Sequence, residues 1–220
     1  MKKIDVDNWE RKSHYRWFSS FARPVLAMDI KLDVTNILKV AREHRISTFA
    51  VIMYVFSEAL NNNRAFRLRE FHGDVVDIEH ANVAYTIMVN ESTFVNCRAR
   101  TNLGFKQYVE DFYNNKKKYE NSNFVQDEYN DVEIIDDIYC SSSPWINFLS
   151  MEQPIPENNR ESRSIPRLAW GAYYMEQDKS YITLNITANH ALVDGLDFAK
   201  VIKEIENMFL NPTFLEDVYR

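Results

Sequence analysis

Residues 186–195 hold the clearest arrangement of side chains for chemistry in this sequence. His190 ends a run of alternating apolar residues, and Asp194 and Gly195 follow in a turn that begins a helix. An imidazole at the end of a rigid strand can be held in one orientation, and its charge changes near neutral pH. The segment therefore predicts a general base at His190, with Asp194 able to fix the loop by binding a cation. Taken alone, the same pattern also fits an ordinary surface histidine beside a turn.

The elements that must position this turn alternate between strands and helices along the chain. Alternating apolar residues predict strands at 25–34, 74–79, 82–89, around 93–98, 168–176 and 180–189. Apolar residues at helical spacing predict helices at 10–17, 35–44, 47–63, 105–121 and about 196–209, with Thr35 and Ser47 as N-caps. Residues 122–137 are expected to form a surface connection, and residues 154–166 a loop. This order predicts an α+β fold: a two-layer sandwich with a large mixed β-sheet and packed helices, in a single domain over residues 1–220.

Composition and charge exclude several classes of protein. Of the 220 residues, 45% are hydrophobic, 26% are charged and only four are glycine, which predicts a globular domain without a glycine-rich phosphate loop. The net charge of −6 does not suit a nucleic-acid binder. Cys97 and Cys140 form no C-x-x-C motif, so we expect reduced thiols and no metal site. Because it has neither a signal peptide nor an apolar run of about 18 residues, the chain is expected to be cytoplasmic and to bind no membrane.

Several further segments resemble the motifs of one known family. They are 8–14 (its N-W-x-R-(R/K)-E-H), 32–35 (L-D-I-T), 65–68 (E-F-R-M), 85–94 (Y-T-V-F and T-F-S) and 141–148 (S-A-x-P-W-V-x-F), while 190–195 matches H-x-x-x-D-G. Because the matches occur in the right order at near-constant spacing, the chain resembles the chloramphenicol acetyltransferase family over nearly its whole length. The dihydrolipoyl acyltransferases and the condensation domains of peptide synthetases share the last motif more distantly.

The resemblance implies an enzyme with the CoA-dependent acyltransferase fold. Members of the family transfer an acetyl group from acetyl-CoA to a hydroxyl of chloramphenicol without an acyl-enzyme, a reaction associated with antibiotic resistance. The resemblance also implies acetyl-CoA as co-substrate, a small hydroxylated acceptor, no metal, and a homotrimer with its active sites between subunits. The same mechanism on another hydroxylated molecule is the second candidate function, and a non-catalytic trimeric scaffold is the third.

The same resemblance implies roles for individual residues. His190 falls on the catalytic base, and Ser141 falls on the serine that donates a hydrogen bond to the oxyanion. Asp194 falls on a structural aspartate whose implied partner is Arg11. Trp145 falls on a tryptophan near the coenzyme, although core packing explains a tryptophan at this position equally well.

Four positions around the implied pocket depart from the family pattern. Asn189 replaces the first of two consecutive histidines, and Ala169 replaces a threonine that helps to bind the intermediate through water. Phe18 and Phe49 replace tyrosines of the acceptor site and of the coenzyme channel. These lost hydroxyls put the identity of the acceptor in question more than the acyl transfer itself. A scaffold needs neither a base nor an oxyanion donor, so the retention of both disfavours the third candidate.

Overall fold

The structure is a computed structural model that describes residues 1–88, 93–119, 135–156 and 159–219. Most of the predicted surface connection at 122–137 lies outside these ranges. The strands are β1 Lys2–Lys3, β2 Val25–Asp33, β3 Leu68–Phe71, β4 Asp74–Asp77, β5 Asn82–Met88, β6 Phe94–Ala99, β7 Asp137–Ser143, β8 Arg167–Gly171, β9 Tyr174–Glu176 and β10 Lys179–Asn189. The α-helices are α1 Lys12–Ser19, α2 Thr35–Glu43, α3 Thr48–Asn61, α4 Arg64–Arg67, α5 Gly104–Tyr119, α6 Arg160–Ser164 and α7 Gly195–Leu210, and 3-10 helices cover Val6–Asn8 and Thr213–Tyr219.

A large mixed sheet forms one layer of the molecule. Strands β2, β10, β8, β7, β5 and β6 follow one another in that order, and β9 pairs with the start of β10. Strand β7 is parallel to both β5 and β8, whereas the other pairs are antiparallel. The predicted α+β sandwich with a large mixed sheet is confirmed. A small sheet in the order β1-β4-β3 was not predicted, because β1 and β3 are too short to show alternation.

The two faces of the large sheet differ in polarity. Ile138 and Cys140 of β7, with Leu168 and Trp170 of β8, are buried in the core under the helices. Since successive side chains of a strand point to opposite faces, the residues between them belong to the other side of the sheet, which we call the outer face. The outer face carries Tyr139 and Ser141 of β7, Arg167 and Ala169 of β8, and Asn185 and Thr187 of β10.

The helical layer is centred on α3, which is buried along most of its length. Ser47 caps this helix as predicted, because its Oγ accepts a hydrogen bond from the backbone N of Ala50 at 3.5 Å. The predicted cap at Thr35 is wrong: α2 has Val34 at its N-cap, and Oγ1 of Thr35 accepts from the backbone N of Ser180 at 2.9 Å. That hydrogen bond ties α2 to β10, a long-range contact that local pattern does not show. No helix in the described ranges is long and apolar enough to cross a membrane.

Four other regions differ from the sequence-based expectation. The predicted loop at 154–166 contains α6, whose cap Asn159 accepts from the backbone N of Ser162 at 2.9 Å. The predicted strand at 168–176 breaks into β8 and β9, because the backbone N of Ala172 leaves the ladder and donates to the carbonyl of Ile146 at 2.8 Å. Strand β7 was not predicted, since its residues are mostly polar and its first residue fell in the expected connection. Helix α1 begins at Lys12, two residues later than expected, after the 3-10 helix.

Both cysteines are free and buried. Cys97 and Cys140 lie on either side of Tyr85, one on β6 and the other on β7. Two strand spacings separate their backbones by roughly 9–10 Å, which is farther than a disulfide spans. Burial raises the pKa of the Cys97 thiol to about 11 and that of Cys140 still further, so both thiols stay protonated at neutral pH.

Candidate active site

His190 is the first residue after β10, in the turn that leads into α7. Its backbone N donates to the carbonyl of Pro24 at 2.8 Å, which continues the pairing of β10 with the segment before β2. Its ring Nδ1 lies 2.9 Å from the carbonyl oxygen of Val193. A carbonyl oxygen only accepts, so Nδ1 must carry the hydrogen in this contact. The neutral ring then keeps its lone pair on Nε2, the atom through which it can act as a base.

Phe18 fixes the plane of the His190 ring. The two ring centroids are 3.8 Å apart and the rings are inclined by 29°. Phe18 is held in turn by a tilted contact with the ring of Trp17 at 4.8 Å and an edge-on contact with the ring of Phe21 at 5.5 Å. The end of α1 therefore restricts rotation of the imidazole, and the lost tyrosine hydroxyl is replaced by a purely apolar support.

Arg11 ties the turn together from the start of α1. Its Nη2 donates to the carbonyl of His190 at 3.1 Å, and its Nε donates to the carbonyl of Ala191 at 3.2 Å. Its Nη1 forms an ion pair with Oδ2 of Asp194. The hydrogen bond from Arg11 holds the pKa of the Asp194 carboxyl below its usual value, so the pair is charged at neutral pH.

Asp194 joins this ion pair to the beginning of α7. Its Oδ1 accepts from the backbone N of Leu196 at 3.1 Å, and Oδ2 of Asp197 accepts from the backbone N of Asp194 at 3.1 Å. This reciprocal arrangement is a capping box, which satisfies backbone groups that a helix N-terminus otherwise leaves without partners. The turn that carries His190 is therefore anchored at both ends.

A buried network that the sequence did not indicate supports the same turn from behind. Asn189 is 2% exposed, and its Oδ1 accepts from the backbone N of Ala191 at 2.9 Å. Its Nδ2 lies 3.4 Å from Oε2 of Glu70, which is itself buried. Oε1 of Glu70 accepts from the hydroxyl of Tyr15 at 3.0 Å and from Nη2 of Arg160 at 2.7 Å. Asn189 thus lies behind His190, with both ends of its amide engaged, rather than in an open pocket.

Glu70 also changes the acid–base properties of its partners. Burial, together with the Glu70 carboxylate, raises the pKa of Tyr15 to about 12. The hydrogen bond to Glu70 raises the pKa of Arg160. Tyr15 therefore stays a hydroxyl donor and Arg160 stays a cation at any physiological pH. These contacts join positions 55 to 119 residues apart, and no local pattern in the sequence points to them.

Ser141 and His190 are not brought together within one chain. Ser141 lies opposite Ala169 on β8, which lies opposite Asn185 on β10. His190 is five residues beyond Asn185 and two strands away from β7. At about 3.3 Å per residue and 4.8 Å per strand, the two Cα atoms are roughly 19 Å apart. A hydroxyl and an imidazole on one reacting group must lie within a few ångströms of it, so one chain holds only half of the implied site.

The remaining predicted pocket residues lie on the Ser141 side of the sheet or in the core. Trp145 follows β7 and is 73% exposed, so core packing does not explain it in the single chain. Phe49, at the start of α3, packs on Trp170 with ring centroids 5.1 Å apart and is only partly buried. Ala169 is 2% exposed on β8. Within one chain, none of these three makes a described contact with His190.

Known proteins resemble this chain in both fold and sequence. A model of the chloramphenicol acetyltransferase family matches residues 1–206. A chloramphenicol acetyltransferase of Proteus mirabilis is 26% identical over 210 residues, which cover 92% of each chain. A solved structure of a chloramphenicol acetyltransferase superposes with a TM-score of 0.86 at 22% identity, covering 96% of this chain and 99% of the other. The dihydrolipoamide acetyltransferase of Azotobacter vinelandii superposes with a TM-score of 0.65 at 10% identity, covering 92% and 88%.

These similarities show first the fold class of the protein and then its family. The mixed sheet, the helical layer and the neighbouring structures define a CoA-dependent acyltransferase fold. The chain belongs to the chloramphenicol acetyltransferase family, because the family model covers more than nine-tenths of it. It is a CoA-dependent acetyltransferase, and enzymes of this family use acetyl-CoA as co-substrate and act on a small-molecule acceptor.

Proposed function

We propose that this enzyme transfers the acetyl group of acetyl-CoA to a hydroxyl of its acceptor, with His190 as general base. The observation that carries the proposal is the hydrogen bond from Nδ1 of His190 to Val193, which leaves the Nε2 lone pair available. The family match favours chloramphenicol as acceptor and one domain over the whole chain. Acetylation of that drug would make the protein a resistance enzyme.

The proposed reaction is a direct transfer. Nε2 of His190 takes the proton of the acceptor hydroxyl while the hydroxyl oxygen attacks the thioester carbonyl carbon. The carbon–sulfur bond then breaks, and His190 returns the proton to the departing CoA thiolate. Ser141 donates a hydrogen bond to the oxyanion that forms between these two steps. Such a donor contributes about 10²–10³ in rate, because it meets the charge only where the charge develops.

We also propose that the working site lies between subunits of a homotrimer. The separation of roughly 19 Å between His190 and Ser141 supports this, since a neighbouring copy can supply the missing half. Exposed apolar side chains in the segment after β7, the strand that carries Ser141, include Trp145 and Leu149 and would be covered by such a neighbour. A head-to-tail contact of this kind closes into a ring when its rotation angle is a simple fraction of a turn.

A second candidate keeps the mechanism and changes the acceptor. Two hydroxyl donors expected around the acceptor and the intermediate are absent, because Phe18 and Ala169 stand in their places. Phe18 instead stacks on the ring of His190, so its position is used for support of the base. An acceptor other than chloramphenicol, with its own polar contacts, fits this site as well. Trp145 and Phe49 stay our candidates for contact with the coenzyme in either case.

A thiol-release assay with acetyl-CoA, with and without chloramphenicol, tests the proposal. His190→Ala serves as the blank, since it lacks the base. Release of CoA that needs both chloramphenicol and His190 supports the drug-modifying function. Binding of acetyl-CoA without chloramphenicol-dependent release keeps acyl transfer and points to another alcohol. A calorimetric titration that detects no binding of acetyl-CoA would favour the non-catalytic scaffold. The unpaired thiols of Cys97 and Cys140 suit the reducing cytoplasm that we propose as its location.

A further inference from the structure

Two cavities on the Ser141 side of the molecule share the wall formed by Pro154 and Ile155. One cavity, of about 440 Å³, extends to Ala22 and Arg163. The other, of about 580 Å³, extends to Tyr139 and Arg167. We call these two adjoining cavities the arginine groove. Each is large enough for a small organic molecule or a substantial part of one.

Two of the three arginines that line the groove, Arg163 and Arg167, have no carboxylate partner within the described residues. Nη1 of Arg163 donates to the carbonyl of Ala22 at 2.9 Å, while its buried Nε has no acceptor. Arg167 is 6% exposed and donates only to neutral oxygens, those of Ser162 and Ile165. Burial lowers the pKa of Arg167 from its usual value, yet the group remains a cation at neutral pH.

This absence of counter-charge is unusual for a buried cation such as Arg167. A buried charge is ordinarily paired, because removal from water costs more than hydrogen bonds to neutral groups return. Arg23, in the same groove, does form an ion pair with Glu152. The groove therefore has an excess of positive charge, although the chain as a whole has a net charge of −6. Guanidinium groups are well suited to bind an oxyanion.

The groove begins beside Ser141, the oxyanion donor of the proposed site. Tyr139 and Ser141 are two residues apart on β7 and share the outer face, and the Arg167 guanidinium lies 5.2 Å from the ring centroid of Tyr139. The proposed coenzyme residues lie toward the opposite ends of these strands, because Trp145 follows the last residue of β7 and Phe49 contacts Trp170 near the end of β8.

We propose that the acceptor of this enzyme carries an oxyanionic group, a carboxylate or a phosphate, which Arg163 and Arg167 bind. The inference rests on the proposed function for the identity of Ser141 and His190 as the reacting side chains. It narrows the second candidate function, transfer to an alcohol other than chloramphenicol, to acceptors with an anionic group. Chloramphenicol has no anionic group and would leave the charges of Arg163 and Arg167 unpaired. Guanidinium groups match the geometry of carboxylates and phosphates, so the two arginines would set both the orientation and the charge preference of the acceptor.

Calorimetric titration of the wild-type protein without acetyl-CoA tests the preference, because nothing can turn over. The probes are 4-(hydroxymethyl)benzoate, 4-(hydroxymethyl)phenylphosphonate and, as the uncharged analogue, 4-(hydroxymethyl)benzamide. We expect one of the anions to bind at least about tenfold more tightly than the amide and to weaken with salt. The anion that binds tightly distinguishes a carboxylate from a phosphate. Equal affinities, or no binding of any probe, would overturn the inference.

Substitutions test whether the arginine groove causes the preference for an anionic probe. Arg163→Gln should abolish the tenfold preference, and the charge-matched control Lys203→Gln, at an exposed position of α7, should keep it. Arg167→Gln should act in the same direction, and a thermal melt shows whether it is folded. An unchanged preference in folded Arg163→Gln and Arg167→Gln contradicts the inference.

The coenzyme is the main rival for these charges. The affinity for acetyl-CoA should be the same in wild type and Arg163→Gln. A lower affinity for acetyl-CoA in the variant would assign the arginines to the coenzyme phosphates and overturn the inference. The thiol-release assay separates the two proposals, since lack of CoA release from every acceptor counts against the proposed function, whereas the affinities of the probes test only the groove.

Discussion

The turn that carries His190 and the strand that carries Ser141 are stabilised in opposite ways. His190 is held by a hydrogen bond from its own ring to Val193, by the stacked ring of Phe18 and by Arg11, all within one chain. Ser141 lies half-exposed on the outer face of the sheet. The residues that follow it are among the most exposed apolar side chains, with Leu149 at 91%.

This difference indicates which residues of the proposed site are held in position by the fold of a single chain. Folding of one chain fixes the orientation of the His190 ring before any substrate binds, which would remove an entropic cost from the reaction if His190 is the base, as we propose. In our proposal Ser141 is positioned only along its strand, and its distance from His190 is set when a second copy of the chain binds. We therefore expect substitutions at the turn to act within a subunit and substitutions at β7 to act across an interface.

The largest effect is expected for His190→Ala. Removal of the base should lower kcat by about 10³-fold or more, because general bases contribute about 10²–10⁴. The variant should keep its oligomeric state and should bind acetyl-CoA as the wild type does. Thiol release, with sedimentation to measure the assembly, checks both expectations. An unchanged kcat would remove His190 from the mechanism.

Ser141→Ala should follow, with a loss of about 10²–10³ in kcat and little change in KM, since the donor acts on the oxyanion. Ser143→Ala, two residues further along β7, is the matched control and should retain most of the activity. Steady-state kinetics of both variants makes the comparison. Equal losses in both would mean that the end of β7, rather than the Ser141 hydroxyl, is sensitive to substitution.

Mixing the two inactive variants tests whether the two regions of a site come from different chains. His190→Ala and Ser141→Ala chains, unfolded together and refolded in equal amounts, should recover about a quarter of wild-type activity in a head-to-tail trimer. This fraction is the chance that a site receives an intact histidine from one chain and an intact serine from the next. Mixed refolding without recovery would show that both residues of a site come from the same chain.

Arg11→Ala should have an intermediate effect, because it loosens the His190 turn but leaves the base in place. We expect kcat to fall about tenfold and the free energy of unfolding to fall by about 1–2 kcal/mol, less than the 3–5 kcal/mol of a fully buried pair, since Asp194 is 40% exposed. Arg16→Ala, which breaks an exposed ion pair on the same helix, should change neither quantity appreciably. Equal behaviour of the two variants would contradict the role of Arg11.

The stability effect of Arg11 should also depend on pH. Arg11 lowers the pKa of Asp194 in the folded state below the value of about 4 in the unfolded chain. A carboxylate of this kind contributes stability above its unfolded pKa and loses that contribution as the pH falls through its folded value. The difference in free energy of unfolding between wild type and Arg11→Ala should therefore shrink below about pH 4. Urea denaturation at several pH values measures it.

The smallest effect on turnover is expected for Glu70, which reaches His190 only through Asn189. Glu70→Ala leaves the Asn189 amide, the Tyr15 hydroxyl and the Arg160 cation without their acceptor, so we expect a loss of about 1–3 kcal/mol in stability. Its kcat should fall less than that of Arg11→Ala. Glu70→Gln keeps an oxygen acceptor and should restore most of the kcat, as thermal melts and kinetics can show. Identical kinetics of Glu70→Ala and wild type would limit this network to stability.

Local sequence patterns predicted the elements that depend on neighbours along the chain. The cap at Ser47, the long strand before His190 and the helix after it follow from residue type and spacing, and the structure confirms each of them. Strand β7 was missed because one of its faces is polar and the other contributes only two core residues. Helix α6 was missed because five residues between prolines and asparagines resemble a loop.

The sequence by itself determined the family and the order of the main elements, and it contains the motifs from which we propose His190 and Ser141 as reacting residues. Those properties reside in motifs of a few adjacent residues. Tertiary structure alone decided that Glu70 lies behind Asn189, that Arg163 and Arg167 share a groove, and that Ser141 is far from His190 in one chain. The physical reason is that each of these relations depends on strand register and on contacts between residues distant in sequence, which are fixed only when the sheet and helices pack.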